Sequence, residues 1–226
     1  MKFIPIIPCF NPPKEVIPLI EELINNKFKD IIVIDDGSSE RKYIDKIDKY
    51  KECIIIKHKE NMGKGAALKN GLKYYKEHFM DKYSGVVCVD CDGQHLVSDT
   101  IVVGNSMVKN NSFTIGVRDF SLDNVPFRSR FGNKMTSFIF KKLFGVYIRD
   151  TQTGLRAIPN KLIDAGINCD GDRYEYEINM LINMVKEDKN IKEEVINTVY
   201  IDNNKNSKFN PIKDSYLIYK EMFKHR

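Results

Sequence analysis

Asp90-Cys91-Asp92 sets two carboxylates one residue apart, directly after the apolar run Val86-Val87-Cys88-Val89. Hard oxygen donors at that spacing, at the mouth of a strand, can share Mg2+ or Mn2+, ions that keep waters and substrate phosphate in the rest of their shell. A cation held there neutralises a departing diphosphate. Such a pair also occurs in plain turns where one aspartate caps the next helix, so the setting matters. Gly93-Gln94-His95 follow. Gln94 is a candidate for the metal or its water, while His95 reads as a loop imidazole with no ligand role.

Two further clusters carry the same kind of double reading. In Val33-Ile34-Asp35-Asp36-Gly37-Ser38-Ser39, Asp35 and Asp36 suit the ribose or base of a nucleotide, and Gly37 supplies a tight turn. The alternative is a capping loop with Ser38 or Ser39 as helix N-cap. In Asn61-Met62-Gly63-Lys64-Gly65-Ala66-Ala67, the Lys64 ammonium beside a helix N-terminus can meet a diphosphate. The alternative is a glycine turn with a solvated lysine. The segment lacks the G-x-x-x-x-G-K-[ST] pattern and has too few glycines for a dinucleotide fingerprint.

The elements that must position these groups alternate. Phe3 to Ile7, Ile31 to Ile34, Ile54 to Ile56 and Gly85 to Val89 read as strands, with helices at Lys14–Asn25 and about Gly65–His78. Pro18 fits the first of these helices only within its first turn. This order predicts right-handed βαβ units and a doubly wound, mostly parallel α/β sheet flanked by helices. Ligands of such sheets bind where strands end at their carboxyl edge. Pro8 and Asn11, Asp35 and Asp36, Asn61 to Gly65, and Asp90 to Asp92 all fall at such ends. Later, Phe113–Val117 reads as a strand, Arg130–Leu143 and Tyr174–Val185 as helices, Val195–Ile201 as a late strand and Pro211–Phe223 as a helix.

A chain of 226 residues, 42% hydrophobic and 30% charged, is long enough for one domain with a substantial core. Its 36 Lys+Arg against 31 Asp+Glu alternate in sign along most of the chain, which argues against a nucleic-acid-binding stripe. No apolar run approaches the roughly 20 residues of a membrane span, and no signal peptide opens the chain. A cytoplasmic protein is expected, with membrane contact at most peripheral or through a partner subunit. The five cysteines are an odd number; Cys88 and Cys91 form a C-x-x-C without a second pair, so reduced core thiols are expected rather than zinc or redox use.

Taken together, the three clusters resemble glycosyltransferase family two with the GT-A fold. Asp35-Asp36-Gly37-Ser38 matches its nucleotide-binding D-D-G-S, Asn61 to Gly65 its N-x-G-K-G, and Asp90 to Gln94 its metal-binding D-A-D-G-Q, with Cys91 in place of the usual alanine. Gly116-Val117-Arg118, Arg128 to Asn133 and Asp150-Thr151-Gln152-Thr153-Gly154-Leu155-Arg156 look like the branch of polyprenyl- and dolichyl-phosphate mannose and glucose synthases. The resemblance implies a single domain, its nucleotide-sugar half at about 1–95 and its acceptor half at about 96–226. It implies an inverting transfer of a hexose from a UDP- or GDP-sugar, with Mg2+ or Mn2+ on Asp90, Asp92 and Gln94. Arg118 and Arg130 would hold phosphate, Gln152 would line the acceptor side, and Lys208, within Asn206 to Phe209, would be a phosphate clamp or else a solvated lysine. Arg128 reads as an ordinary surface partner of Asp119 or Asp123.

The acceptor decides the last role. A sugar or protein hydroxyl needs a carboxylate to take its proton, and the resemblance implies it in Tyr174-Glu175-Tyr176-Glu177, where related enzymes place their acidic residue, with Glu175 the first candidate and Glu177 the second; a lipid-linked phosphate is already ionised and needs none. Transfer to a hydroxyl in surface polysaccharide synthesis, and a nucleotide-sugar-binding subunit without turnover, are the competing readings. An NAD-dependent oxidoreductase is disfavoured because no G-x-G-x-x-G follows the first strand.

Overall fold

The computed structural model describes residues 1–119, 127–197 and 211–226, and for 127–131 and 211–216 the backbone alone. Seven strands form one sheet: β1 (Ile4–Cys9), β2 (Ile31–Asp35), β3 (Cys53–Lys57), β4 (Gly85–Cys88), β5 (Thr114–Arg118), β6 (Arg156–Pro159) and β7 (Lys192–Ile196), in the order β3-β2-β1-β4-β6-β5-β7. All neighbours run parallel except β6, which is antiparallel to β4 and β5. The sheet is therefore mixed, and the reversal has a use. The register Cys88↔Arg156 brings the start of β6 to the edge where its neighbours end, so the loop before β6 arrives beside Asp90.

Continuous β-branched runs form the central strands because both faces are covered. Ile4, Ile6, Ile32, Ile34, Val86 and Cys88 pack on one side, and Ile7, Ile31, Val33, Val87 and Val89 on the other. The first layer is completed by α3 (Lys64–His78), α5 (Phe127–Phe144), α6 (Ile163–Ile167), α7 (Glu175–Glu187) and α8 (Pro211–Lys224); the second by α1 (Val16–Asn25), α2 (Ile44–Ile47) and α4 (Val97–Asn110). Pro18 occupies the third position of α1, within the first turn where no intrahelical N–H is lost. Cys88 and Cys91 fall on opposite faces of the sheet, so the C-x-x-C does not converge. All five cysteines are free, and burial pushes the Cys88 thiol up to about 12.

Two elements carry weak local signals. The α4 run VSDTIVVG is rich in β-branched residues and contains a glycine, all poor helix formers; burial of Val97, Val103 and Met107 compensates. β7 covers Lys192–Ile196, earlier than the Val195–Ile201 expected, whose residues 198–201 lie outside the described set. Its Lys-Glu-Glu start is a charged edge strand, pairing with β5 alone.

Candidate active site

Asp36 begins the site by fixing a loop. Its carboxylate accepts from His58 Nδ1 (2.7 Å), the Met62 N–H (2.9 Å), the Gly63 N–H (2.9 Å) and Asn61 Nδ2 (3.0 Å). Asn70 Nδ2 donates to His58 Nε2 at 2.8 Å, which sets the imidazole as the Nδ1–H tautomer. Four donors occupy this buried carboxylate, so Asp36 holds the 58–63 loop instead of presenting oxygens to a ligand. Gly63 has φ 106°, and a Cβ there would lie 2.4 Å from the Asp172 carbonyl oxygen, so only glycine lets the loop lie against the 172 turn. The Ala66 N–H donates to that same carbonyl at 3.0 Å. The first turn of α3, and with it Lys64, is thereby aimed at the strand ends.

Asp35 closes the neighbouring loop: its Oδ1 accepts the Ser38 N–H (3.0 Å) and its Oδ2 the Arg41 guanidinium. Asn11, at φ 46°, joins the exit of β1 to the same loop. Its backbone N–H donates to Ser38 Oγ (2.9 Å) and its Oδ1 accepts the Glu40 N–H (3.0 Å). Ser38 and Ser39 are not helix N-caps, because α2 starts at Ile44 with no side-chain cap. Pro8 is buried inside β1 opposite Ile34 and shapes the strand end.

The charged centre lies at the end of β4. Lys64 Nζ sits 2.6 Å from Asp90 Oδ1 and 3.0 Å from Glu177 Oε1, and His95 Nε2 lies 3.5 Å from Asp90 Oδ2. Burial alone raises the Asp90 carboxyl, but the Lys64 charge and the His95 contact outweigh it and hold Asp90 well below the usual carboxylate range. Burial likewise opposes the Lys64 charge, and the two carboxylates override it, keeping the ammonium protonated. Asp92 is pushed up, first by burial and then by the Asp90 charge. The Gln94 backbone N–H donates to Asp92 Oδ1 at 3.0 Å. His95 thus touches Asp90, where the sequence suggested a bystander. Glu175 accepts the Asp172 and Arg173 backbone N–H groups at 3.2 Å each. Its carboxylate caps its own loop, and Glu177 is the one the structure brings to Asp90 through Lys64.

The reversed strand supplies the far wall. Arg118 at the end of β5 grips fully buried Asp150 with two bonds, Nε to Oδ2 (2.6 Å) and Nη2 to Oδ1 (3.1 Å). The Gln152 backbone N–H caps the same carboxylate at 3.1 Å. Gly154 packs on the metal-candidate carboxylate: a Cβ there would lie 2.3 Å from Asp90 Oδ2. Behind the loop, buried Arg156 donates Nε to the Thr153 carbonyl (2.9 Å), Nη2 to the Thr151 carbonyl (3.2 Å) and Nη1 to the Glu177 carbonyl. One guanidinium so ties the 151–153 loop to the first turn of α7. The Arg130 side chain and Lys208 lie outside the described residues.

The donor set suits a divalent ion. Two oxygen donors stand one residue apart, one is raised by burial and by the charge of the other, and Gly154 leaves room where any side chain would crowd Asp90. Among the described residues no group of three or more His, Cys, Asp or Glu side chains is placed to hold a metal. Arg156, His58 and Arg41 went unassigned from sequence. A lone arginine in the apolar run Leu155-Arg156-Ala157-Ile158 is the signal for the first; the other two act through partners distant in the chain.

Residues 6–166 match the profile of glycosyl transferase family 2. Over 217 residues the chain is 32% identical to a UDP-N-acetylglucosamine–dolichyl-phosphate N-acetylglucosaminyltransferase of Methanococcus voltae, covering 86% of this chain and 84% of that one. Among solved structures it is similar to mannosyl-3-phosphoglycerate synthase from Rubrobacter xylanophilus (TM-score 0.73, 12% identity, 99% of this chain and 73% of that one). It is also similar to glucosyl-3-phosphoglycerate synthase from Mycobacterium tuberculosis, solved with Mn2+, UDP-glucose and phosphoglyceric acid (TM-score 0.68, 14% identity, 99% and 79%). These two likenesses establish the fold. The chain belongs to glycosyl transferase family 2 and is a glycosyltransferase related to the dolichyl- and polyprenyl-phosphate sugar transferases.

Proposed function

We propose that this enzyme moves a hexose, with inversion, from a UDP- or GDP-sugar to a lipid-linked phosphate, with Mg2+ or Mn2+ on Asp90 and Asp92. The observation that carries the reading is the Lys64 ammonium held between Asp90 and Glu177 at the carboxyl edge of the sheet. A cation already rests on the carboxylate that a metal would use, beside a helix N-terminus suited to phosphate. When bound, the divalent ion supplies charge neutralisation of the leaving diphosphate. With Asp90 engaged by the ion, Lys64 would be free to pair with a phosphate oxygen of the donor. The acceptor oxygen attacks the anomeric carbon, the bond from that carbon to the diphosphate oxygen breaks, and both its electrons leave with the nucleoside diphosphate. Asp35 and Asn11 shape the pocket for the nucleoside, Asp36 positions the Lys64 loop, and Arg118 and Arg130 meet phosphate, Arg118 oriented by Asp150. Gln152 lines the acceptor side and Lys208 is a clamp for the diphosphate.

An ionised acceptor is favoured by what the two glutamates do. Glu175 is engaged by two backbone N–H groups and Glu177 by Lys64, so neither stands ready as a base. The Methanococcus voltae relative, named for a dolichyl-phosphate acceptor, supports the same choice. The test is transfer of labelled sugar from UDP- and GDP-hexoses to polyprenyl phosphate or to a glycan hydroxyl, in wild type and Glu175→Gln. Retained transfer to the phosphate in the variant is expected. Loss of transfer in a variant that keeps its melting temperature would mean that Glu175 is a base and the acceptor a hydroxyl.

A further inference from the structure

Residues 132–149, most of α5 and the turn after it, contain no aspartate or glutamate, in a chain that has 31 acidic residues. Within this stretch the buried positions Asn133, Thr136, Ser137 and Phe140 mark the inward face. The outward face carries Lys134, Met135, Phe138, Lys141 and Lys142, and Tyr147 follows in the turn, all exposed. Phe138 is 63% and Tyr147 51% exposed, and Lys141 Nζ sits over the Tyr147 ring at 5.9 Å. Large apolar side chains standing among lysines, with no acid of their own segment, are unusual where other surfaces of the protein mix signs, as in the Lys82–Asp30 and Lys76–Asp164 pairs. The acid described beside the segment, Glu193 of β7, is taken up by Arg149 at its end.

We propose that this face docks on an anionic lipid surface, Phe138 and Met135 entering the headgroup boundary while Lys134, Lys141 and Lys142 meet lipid phosphate. Interfacial helices combine these two features, and each lysine near an anionic leaflet strengthens binding about fivefold. A second copy of the chain is disfavoured as occupant, since the face would set its lysines against identical lysines. The location is useful. Asn133 Nδ2 and Ser137 Oγ donate to the Arg149 carbonyl, one residue before the Asp150 that grips Arg118. Docking through the outward face of α5 therefore leaves that pair on the other side of the helix, about 10–12 Å of helix thickness from the membrane. The surface stands independently of the acceptor reading, because it requires binding to vesicles that hold no polyprenyl phosphate.

The experiment is flotation of the purified full chain with phosphatidylcholine vesicles, with and without phosphatidylglycerol, at low and high salt. Wild type is expected to float with the anionic vesicles only, and to be released by salt. The double variant Lys141→Glu/Lys142→Glu should bind at least tenfold more weakly and Phe138→Ser severalfold more weakly, both with unchanged melting temperature and donor-induced thermal shift. Wild type that fails to float, variants that float equally well, or a dimer that Phe138→Ser dissociates would overturn the proposal.

Discussion

Replacing Lys64 by methionine removes the charge shared by Asp90 and Glu177 while keeping the length of the side chain. Breaking a buried pair on one side costs about 3–5 kcal/mol. Here the three side chains retain 19–26% of their exposure, so water recovers part of that, and about 2 kcal/mol is the expected loss. For a chain of this size each kcal/mol moves the melting temperature by about 2–4 °C, giving a fall of about 4–8 °C without metal. Mn2+ should reverse most of it, because the ion neutralises the carboxylates that Lys64 abandoned. Competition runs the other way as well. Wild type must release Asp90 from Lys64 to bind metal, so the variant should bind Mn2+ about tenfold more tightly, equivalent to about 1.4 kcal/mol. Calorimetric melting with and without Mn2+, beside direct Mn2+ titration, measures both quantities. Equal destabilisation with and without metal, together with unchanged Mn2+ affinity, would show that Lys64 and the ion do not share Asp90.

The other predictions use the same geometry. Gly154→Ala puts a methyl 2.3 Å from Asp90 Oδ2 and should weaken Mn2+ binding at least about tenfold by displacing that carboxylate, while the crowding costs about 1–3 kcal/mol of stability. Arg156→Lys cannot span three carbonyls with one ammonium; it should cost about 3 kcal/mol and lower the melting temperature by about 6–12 °C in a thermal scan. Asp92, raised by burial and by Asp90, binds its proton more tightly in the folded state. Its contribution is complete below the unfolded carboxyl range, near pH ~3.9, and is lost as pH rises through its folded value. Metal-free Asp92→Asn should therefore melt higher than wild type at neutral pH, the gap closing as the pH falls to about 4. A gap independent of pH would refute the raised Asp92 carboxyl.

The parallel half of the fold and its three loops are legible because continuous β-branched strands, followed by polar loops, admit few other architectures. β6 is not, since a four-residue strand beginning with Arg and ending with Pro has no periodicity to read. Roles within adjacent residues are equally hidden. Asp35 and Asp36 look interchangeable at a strand exit, yet one faces Arg41 and the other the loop 22–27 residues further on. Glu175 and Glu177 differ by about 200° around a helix, so one caps its loop and the other reaches Lys64. Only the phase of α7 against the sheet decides which, and that phase is set by the buried side chains of Tyr176, Ile178 and Met180.

The most direct measurement is calorimetric titration of UDP- and GDP-sugars into wild type and Asp92→Asn, each with and without Mn2+. Binding of one donor class to wild type that requires Mn2+, and its loss in Asp92→Asn, is the expected outcome. Metal-independent donor binding of equal strength in both proteins would contradict a metal-assisted site at Asp90 and Asp92.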